Sequence, residues 1–179
     1  MPALPDDQLA QRAARLSWLL FDVDGVMTDG RLFYDADGEQ LKVFEVRDGL
    51  GLKLAQRAGL KVGILTGRES KALSVRAKEL GVDAVLMDRS DKGPAFLQFL
   101  DRNGVAADRV GYLGDDLVDL PVITRCGLSF APADAVLEVR ERVDRVLTRK
   151  GGRGVAREMI EVVLRARGDW DRVVAPFFA

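Results

Sequence analysis

The chain has no histidine and a single cysteine, Cys126. The first absence excludes His-based triads, His general bases and imidazole-held zinc, and with one cysteine a thiolate zinc site is excluded too. Any metal must therefore sit among oxygen ligands, which favours Mg²⁺ or a similarly hard cation. One cysteine also allows no intramolecular disulfide and points to a reducing, cytoplasmic setting. No apolar run approaches the ~20 residues of a membrane span. The opening residues, Met1 to Asp7, are acidic and lack a basic region followed by an apolar core, so they read as no signal peptide. Charge of one sign is missing as well: 27 basic residues nearly cancel 28 acidic ones. No overall field draws the chain to nucleic acid or to an anionic membrane.

What is present is alternation. A length of 179 residues suits a single domain, 1–179, with a proper core. A short helix over 5–15, placed on the sheet edge, precedes an apolar strand at about 16–23. Two β-prone segments around an Asp-Gly turn predict a hairpin at about 30–46. It stands directly after an acidic elbow, either as a flap over it or as a plain structural hairpin. Helices then follow at about 49–59, 69–80 and from Lys92 to about 103, with a short helical segment at 116–125 and a last helix at about 155–167. Strands are expected at 61–65, 83–87, 109–113, 128–130 and 145–147. Strands alternating with helices predict an α/β fold with a doubly wound parallel sheet. The tail, 170–179, is short and apolar, and packs either on its own domain or on a neighbour.

Polar signatures stand at the strand ends. The first strand ends in Asp22-Val23-Asp24-Gly25, the second in Thr66-Gly67-Arg68 and the fourth in Gly114-Asp115-Asp116, with Asp119 a short turn later. The helix after the third strand begins at Lys92. In a doubly wound sheet such ends share one edge, the edge where ligands bind. Alone, the DxDG is as well read as a solvated acidic turn, Thr-Gly-Arg as a helix cap and a lysine as a solvated charge. Together they fit phosphoryl transfer. A carboxylate attacking a phosphate monoester meets its negative charge, and one unit charge at 4 Å is worth about 4 kcal/mol at an effective dielectric near 20. A divalent cation on Asp22 and Asp115, helped by Lys92, offsets that repulsion. Thr66 and the Gly67 amide can hold phosphoryl oxygens at a helix start. Asp24 can protonate the leaving oxygen and then activate water.

On these motifs the chain resembles the haloacid dehalogenase superfamily of aspartyl-phosphate phosphatases. The resemblance implies Asp22 as nucleophile and Asp24 as acid and base, with Thr66 and Lys92 as the second and third motifs. It implies a metal held by the Asp22 side chain, the Asp24 backbone carbonyl and Asp115, and supporting roles for Asp116 and Asp119. Five segments carry a closer likeness over nearly the whole chain: 22–30, 42–49, 64–68, 114–122 and 151–154. They resemble the family of 3-deoxy-D-manno-octulosonate 8-phosphate phosphatases. That family implies a Rossmann-like fold with a β-hairpin flap, no inserted cap domain, Mg²⁺, and assembly as a homotetramer whose neighbouring subunits cover the sites.

The substrate so implied is a phosphorylated sugar acid, anionic at both ends. Arginine forks suit such groups, and Arg47, Arg68, Arg76 and Arg153 are candidates. The resemblance implies that Glu45, Val46, Arg47, Asp48, Gly49, Lys53, Arg68 and Arg76 line the substrate site, some of them in the adjacent subunit. For Arg76 the other reading is surface charge on a helix. Two positions depart from the pattern: Lys53 stands in place of an arginine and loses its fork, and Glu45 in place of an asparagine adds negative charge. A nine-carbon sugar acid 9-phosphate is the rival substrate. A receiver-type phospho-switch shares the residue types but has its acidic pair first and its phosphoacceptor on a later strand, and it lacks the proton shuttle Asp24 provides.

Overall fold

Four apolar residues, Trp18–Phe21, form β1, the strand on which the sheet is centred. Its side chains alternate between the two faces. Leu19 and Phe21 enter one buried cluster and Trp18 and Leu20 the other. The computed structural model describes residues 4–38, 40–87 and 90–178. Parallel strands follow as β4 (Lys61–Leu65), β5 (Ala84–Leu86), β6 (Val110–Leu113), β7 (Leu128–Ala131) and β8 (Arg145–Val146). The order in the sheet is β5-β4-β1-β6-β7-β8. The short strands β2 (Phe33–Tyr34) and β3 (Gln40–Leu41) pair antiparallel as a separate hairpin. The central strands are apolar on both faces because both faces are covered by helices.

The cluster on one face includes residues of α1 (Asp6–Arg15), α2 (Val46–Arg57), α3 (Lys71–Leu80) and α7 (Val155–Ala166). The other face holds α4 (Lys92–Asn103), α5 (Leu120–Ile123) and α6 (Leu137–Arg140). On that side Trp18 meets Phe99 edge-on, with ring centroids 4.9 Å apart. The chain builds outward from β1 to β5, then crosses back to start again at β6. That reversal opens a crevice at the carboxyl ends of β1 and β6, where an open α/β sheet binds its ligand. Among the described residues no helix is long and apolar enough to cross a membrane.

Four elements differ most from the sequence reading, one being α6, a helix not foreseen. α1 lies on a face of the sheet beside α7, with Leu9 and Ala13 buried, and not at the edge. α2 starts at Val46, three residues earlier than expected, because Glu45 caps it by accepting the Arg47 amide at 3.2 Å. The glycines within α2 leave room for neighbours: a Cβ on Gly49 would meet Arg76 at 2.4 Å, and one on Gly51 would meet Arg157 at 3.0 Å. The tail forms α8 (Trp170–Val174), not foreseen as a helix. Val173 packs into the domain's own core, Trp170 lies beneath Arg157 and Arg165, and Phe178 stays exposed.

The N-terminus of α7 has no cap from its own flank, and Asp48 of α2 supplies one, accepting the Arg157 amide at 2.7 Å. Asp48 is buried, and burial pushes its carboxyl up to about 6, against the pull of that hydrogen bond. The folded state thus holds the Asp48 proton to higher pH than the unfolded chain does. The resulting stability is present below about pH 4 and is lost as pH rises through about 6, by an amount on the order of 2–3 kcal/mol. Asp48→Asn keeps the acceptor oxygen and cannot ionise. Denaturant titrations should show the variant gaining on the natural chain by about 2 kcal/mol between about pH 4 and pH 7. Parallel pH profiles would disprove this account of Asp48.

Candidate active site

The residues after β1 and after β6 meet at the crevice. Asp22 leaves β1 with its amide still bonded to the Leu113 carbonyl at 3.0 Å, so the strand geometry continues one residue into the elbow. Gly25 then turns the chain at φ +90°, and a Cβ there would come within 2.0 Å of Asp115 Oδ2. Only glycine permits both the left-handed backbone and the close approach of the second acid. The loop at 151–154 buttresses the elbow from behind: the Gly152 amide donates to the Val26 carbonyl at 2.9 Å.

The centre is a buried charge network. Lys92, at the start of α4, is held by Asp22 Oδ1 at 2.7 Å and by Asp119 Oδ1 at 2.6 Å. Burial alone would lower the lysine pKa, but the two carboxylates outweigh it and raise it, so Lys92 is a fixed cation. Asp119 Oδ1 also accepts from Tyr112 Oη at 2.5 Å, and its Oδ2 accepts the amides of Asp115 at 2.9 Å and Asp116 at 3.2 Å. Asp116 in turn accepts the Leu117 amide at 2.7 Å and caps the short turn Leu117–Asp119.

Carboxylate oxygens of Asp22, Asp115 and Asp119 lie within 4.8 Å of one another. Burial pushes the Asp22 carboxyl up to about 6, with the charge of Asp119 adding to it against Lys92. Burial, together with the charges of Asp22 and Asp119, pushes Asp115 up to about 8. Asp115 Oδ1 is buried with no hydrogen-bond donor against it among the described residues. Three acids around one lysine, one oxygen of them unsatisfied, fit a hard divalent cation. Asp119 has both oxygens committed to donors, so it orients the set, and Asp22 and Asp115 are left to hold the ion.

A cleft of about 610 Å³ opens over this centre. Asp22, Asp24, Thr66, Gly67, Arg68 and Lys92 line it, with Asp115 and Asp116. Thr66 is buried at the end of β4, and its Oγ1 accepts the Arg68 amide at 3.4 Å. Asp24 turns its side chain from the acid cluster toward two cations. Its Oδ1 pairs with Lys42, and its Oδ2 lies 3.9 Å from Arg68 Nε.

The remaining expected substrate residues do not line this cleft. Glu45 and Arg47 form a fork, with Nε–Oε1 3.1 Å and Nη2–Oε2 3.0 Å, and those hydrogen bonds lower the Glu45 pKa to about 2. The extra acid at 45 is thus neutralised within its own chain. Val46 is exposed, and Asp48 and Gly49 are buried at the α2–α7 and α2–α3 contacts. Lys53 donates to the Leu80 carbonyl at the end of α3. Arg76 pairs with Glu79 at 3.2 Å. Arg153 stands 4.0 Å from Asp29. Sequence reasoning missed Lys42 and Tyr112 as partners of the centre. Tyr112 offers no sequence signal, being an ordinary β6 residue. Lys42 does: it is a charged residue at an inward position of an alternating segment.

No protein-family model matches the chain. It is 43% identical over 160 residues to the 3-deoxy-D-manno-octulosonate 8-phosphate phosphatase of Haemophilus influenzae, covering 89% of each protein. It is 40% identical over 160 residues to that of Escherichia coli K12, covering 89% of this chain and 85% of the relative. The crystal structure of the Moraxella catarrhalis phosphatase of the same name, in complex with magnesium ion, phosphate ion and KDO, matches with a TM-score of 0.92 at 33% identity. That match covers 96% of this chain and 98% of the other. With this identity sustained along the chain, and with the acids, threonine and lysine gathered at one sheet edge, the chain belongs to the 3-deoxy-D-manno-octulosonate 8-phosphate phosphatase family of the haloacid dehalogenase superfamily.

Proposed function

We propose that the chain is a Mg²⁺-dependent phosphomonoesterase that releases phosphate from 3-deoxy-D-manno-octulosonate 8-phosphate, in lipopolysaccharide precursor synthesis. The observation that carries this is the Asp22–Lys92–Asp119 network beside the unsatisfied Asp115 oxygen, in a cleft large enough for a sugar phosphate. Asp22 and Asp115, with the Asp24 backbone carbonyl, would hold the cation, and a bound Mg²⁺ supplies charge neutralisation between carboxylate and phosphate.

The residues then divide the chemistry. Thr66 and the Gly67 amide hold phosphoryl oxygens at the end of β4. Asp22 attacks phosphorus, the bond to the sugar oxygen breaks, and Asp24 gives that oxygen its proton. Asp24 next takes a proton from a water that attacks the aspartyl phosphate, freeing Asp22. Lys92 stays charged throughout and steadies both states of Asp22. Arg68, 51% exposed at the cleft mouth, suits the substrate carboxylate.

Assembly as a homotetramer and a cytoplasmic location complete the reading. Apolar side chains left open on the hairpin and on α2 favour the assembly: Phe33, Tyr34, Leu41, Val43, Val46 and Leu50 are all exposed. A neighbour docked there would bring covering residues toward a cleft, and would give Arg47, Lys53 and Arg76 a role across the interface.

Phosphate release in Mg²⁺ from four substrates tests the activity: the octulosonate 8-phosphate, a nonulosonate 9-phosphate, a hexose phosphate and an aryl phosphate. The eight-carbon acid should lead in kcat/KM, and by about 100-fold or more over the hexose and aryl phosphates, which lack its second anionic end. Preference for the nine-carbon acid would move the substrate, and absence of turnover on all four would sink the enzyme reading.

A further inference from the structure

Past β3 the chain runs extended and alternates. Leu41 and Val43 face solvent, at 59% and 71% exposure, while Phe44 packs against the core. Lys42 shares the inward side with Phe44, yet it is charged. Its side chain is only 4% exposed, and its Nζ ends on Asp24 Oδ1. An ammonium removed from water loses hydration, and one carboxylate compensates it only with good geometry. Solvation alone would turn this lysine outward, as long cationic side chains ordinarily are. Lys42 is absent from the cleft lining, whereas Asp24 is part of it. The lysine thus holds a carboxylate of the cleft while its own side chain stays buried outside the lining.

We propose that Lys42 is a positioning residue for proton transfer by Asp24. It anchors Oδ1, so that Oδ2, next to Arg68, is the oxygen presented to the substrate. This rests on Asp24 being the acid and base. In the first half-reaction the Asp22–phosphorus bond forms, the phosphorus–sugar oxygen bond breaks, and the proton on Asp24 Oδ2 goes to the departing oxygen. The carboxylate left behind keeps its counter-charge in Lys42. In the second half the same oxygen takes the proton of the attacking water, as the Asp22–phosphorus bond breaks.

Single-turnover kinetics of phosphoryl transfer to Asp22 test this with two leaving groups. A sugar alkoxide needs the proton, and a nitrophenolate leaves without one. Lys42→Met should slow the first step by about 10- to 100-fold with the sugar phosphate and by less than about threefold with the nitrophenyl phosphate, in line with the usual size of general acid catalysis. Lys42→Arg should restore most of the loss, and KM should change little. Equal slowing with both leaving groups, or a change confined to KM, would overturn the proposal and leave Lys42 as a prop of the hairpin. Asp24→Asn, run alongside, must show the same leaving-group bias. If it shows none, the acid–base reading of Asp24 fails and the proposal fails with it. If Asp24→Asn is biased and Lys42→Met is not, only the role of Lys42 falls.

Discussion

Asp22→Asn is expected to lower phosphate release by about 10⁴-fold or more, a loss of about 5.5 kcal/mol in transition-state stabilisation. The carboxamide has nearly the same size in a site only 5% exposed, but its oxygen is a poor nucleophile toward phosphorus. The surroundings should hold. Lys92 keeps Asp119 at 2.6 Å, and Asp119 keeps Tyr112 and two backbone amides. Folding should not suffer in the metal-free protein at neutral pH. Burial and Asp119 push Asp22 up to about 6, so its ionisation opposes folding above that pH, and asparagine removes the opposition. Melting curves without and with Mg²⁺ separate the two effects. The variant should melt no lower than the natural chain without metal, and should gain less when metal is added, since one ligand is gone. Turnover within tenfold of the natural chain would place the nucleophile elsewhere.

The core of that prediction was legible in the sequence for a physical reason. Strand-end residues in a parallel sheet share one edge whatever their separation in the chain, so Asp22, Thr66, Lys92 and Asp115 could be brought together from strand positions alone. Phe21 pairs with Ile64 on one side and Leu113 on the other, so Asp22, Thr66 and Asp115 follow neighbouring strand ends, and with Lys92 they line one cleft. The order of the motifs also set the chain apart from a receiver domain, and the phosphatase relatives agree with that choice. Side-chain destinations were not legible in the same way. Asp48, Lys53 and Arg76 are used within the fold, by the α7 N-terminus, the α3 C-terminus and Glu79. Each is a polar residue near a motif, and sequence position alone did not reveal the contact it makes within its own chain. The start of α2 was misplaced because glycine was read as a boundary, when packing against Arg76 and Arg157 is what Gly49 and Gly51 make possible. Lys42 was passed over because its segment was read as strand and its periodicity was not followed to the inward face.

Asp119→Ala is expected to cost more stability than any other single change at the site, about 3–5 kcal/mol. Asp119 is fully buried and accepts from four donors, two on each oxygen. Alanine would leave the Tyr112 hydroxyl and two amides unpaired and would reduce Lys92 to one carboxylate. Against a total stability of about 5–15 kcal/mol, that loss is a large share. Asp119→Asn should rescue little of it. An amide has one oxygen, so its NH₂ must point either at the Lys92 ammonium or at the Asp115 and Asp116 amides, and neither can accept, although the Tyr112 hydroxyl can. Denaturant midpoints of the two variants should therefore lie close together and well below that of the natural chain. Activity would fall as well, because the amides that Asp119 holds carry the very backbone that aims Asp115 into the acid cluster. If Asp119→Asn instead retained most of the stability, one pair of donors would have to find another acceptor. The charge of Asp119 beside Lys92 would then matter little to stability, and one acceptor oxygen would suffice at this position.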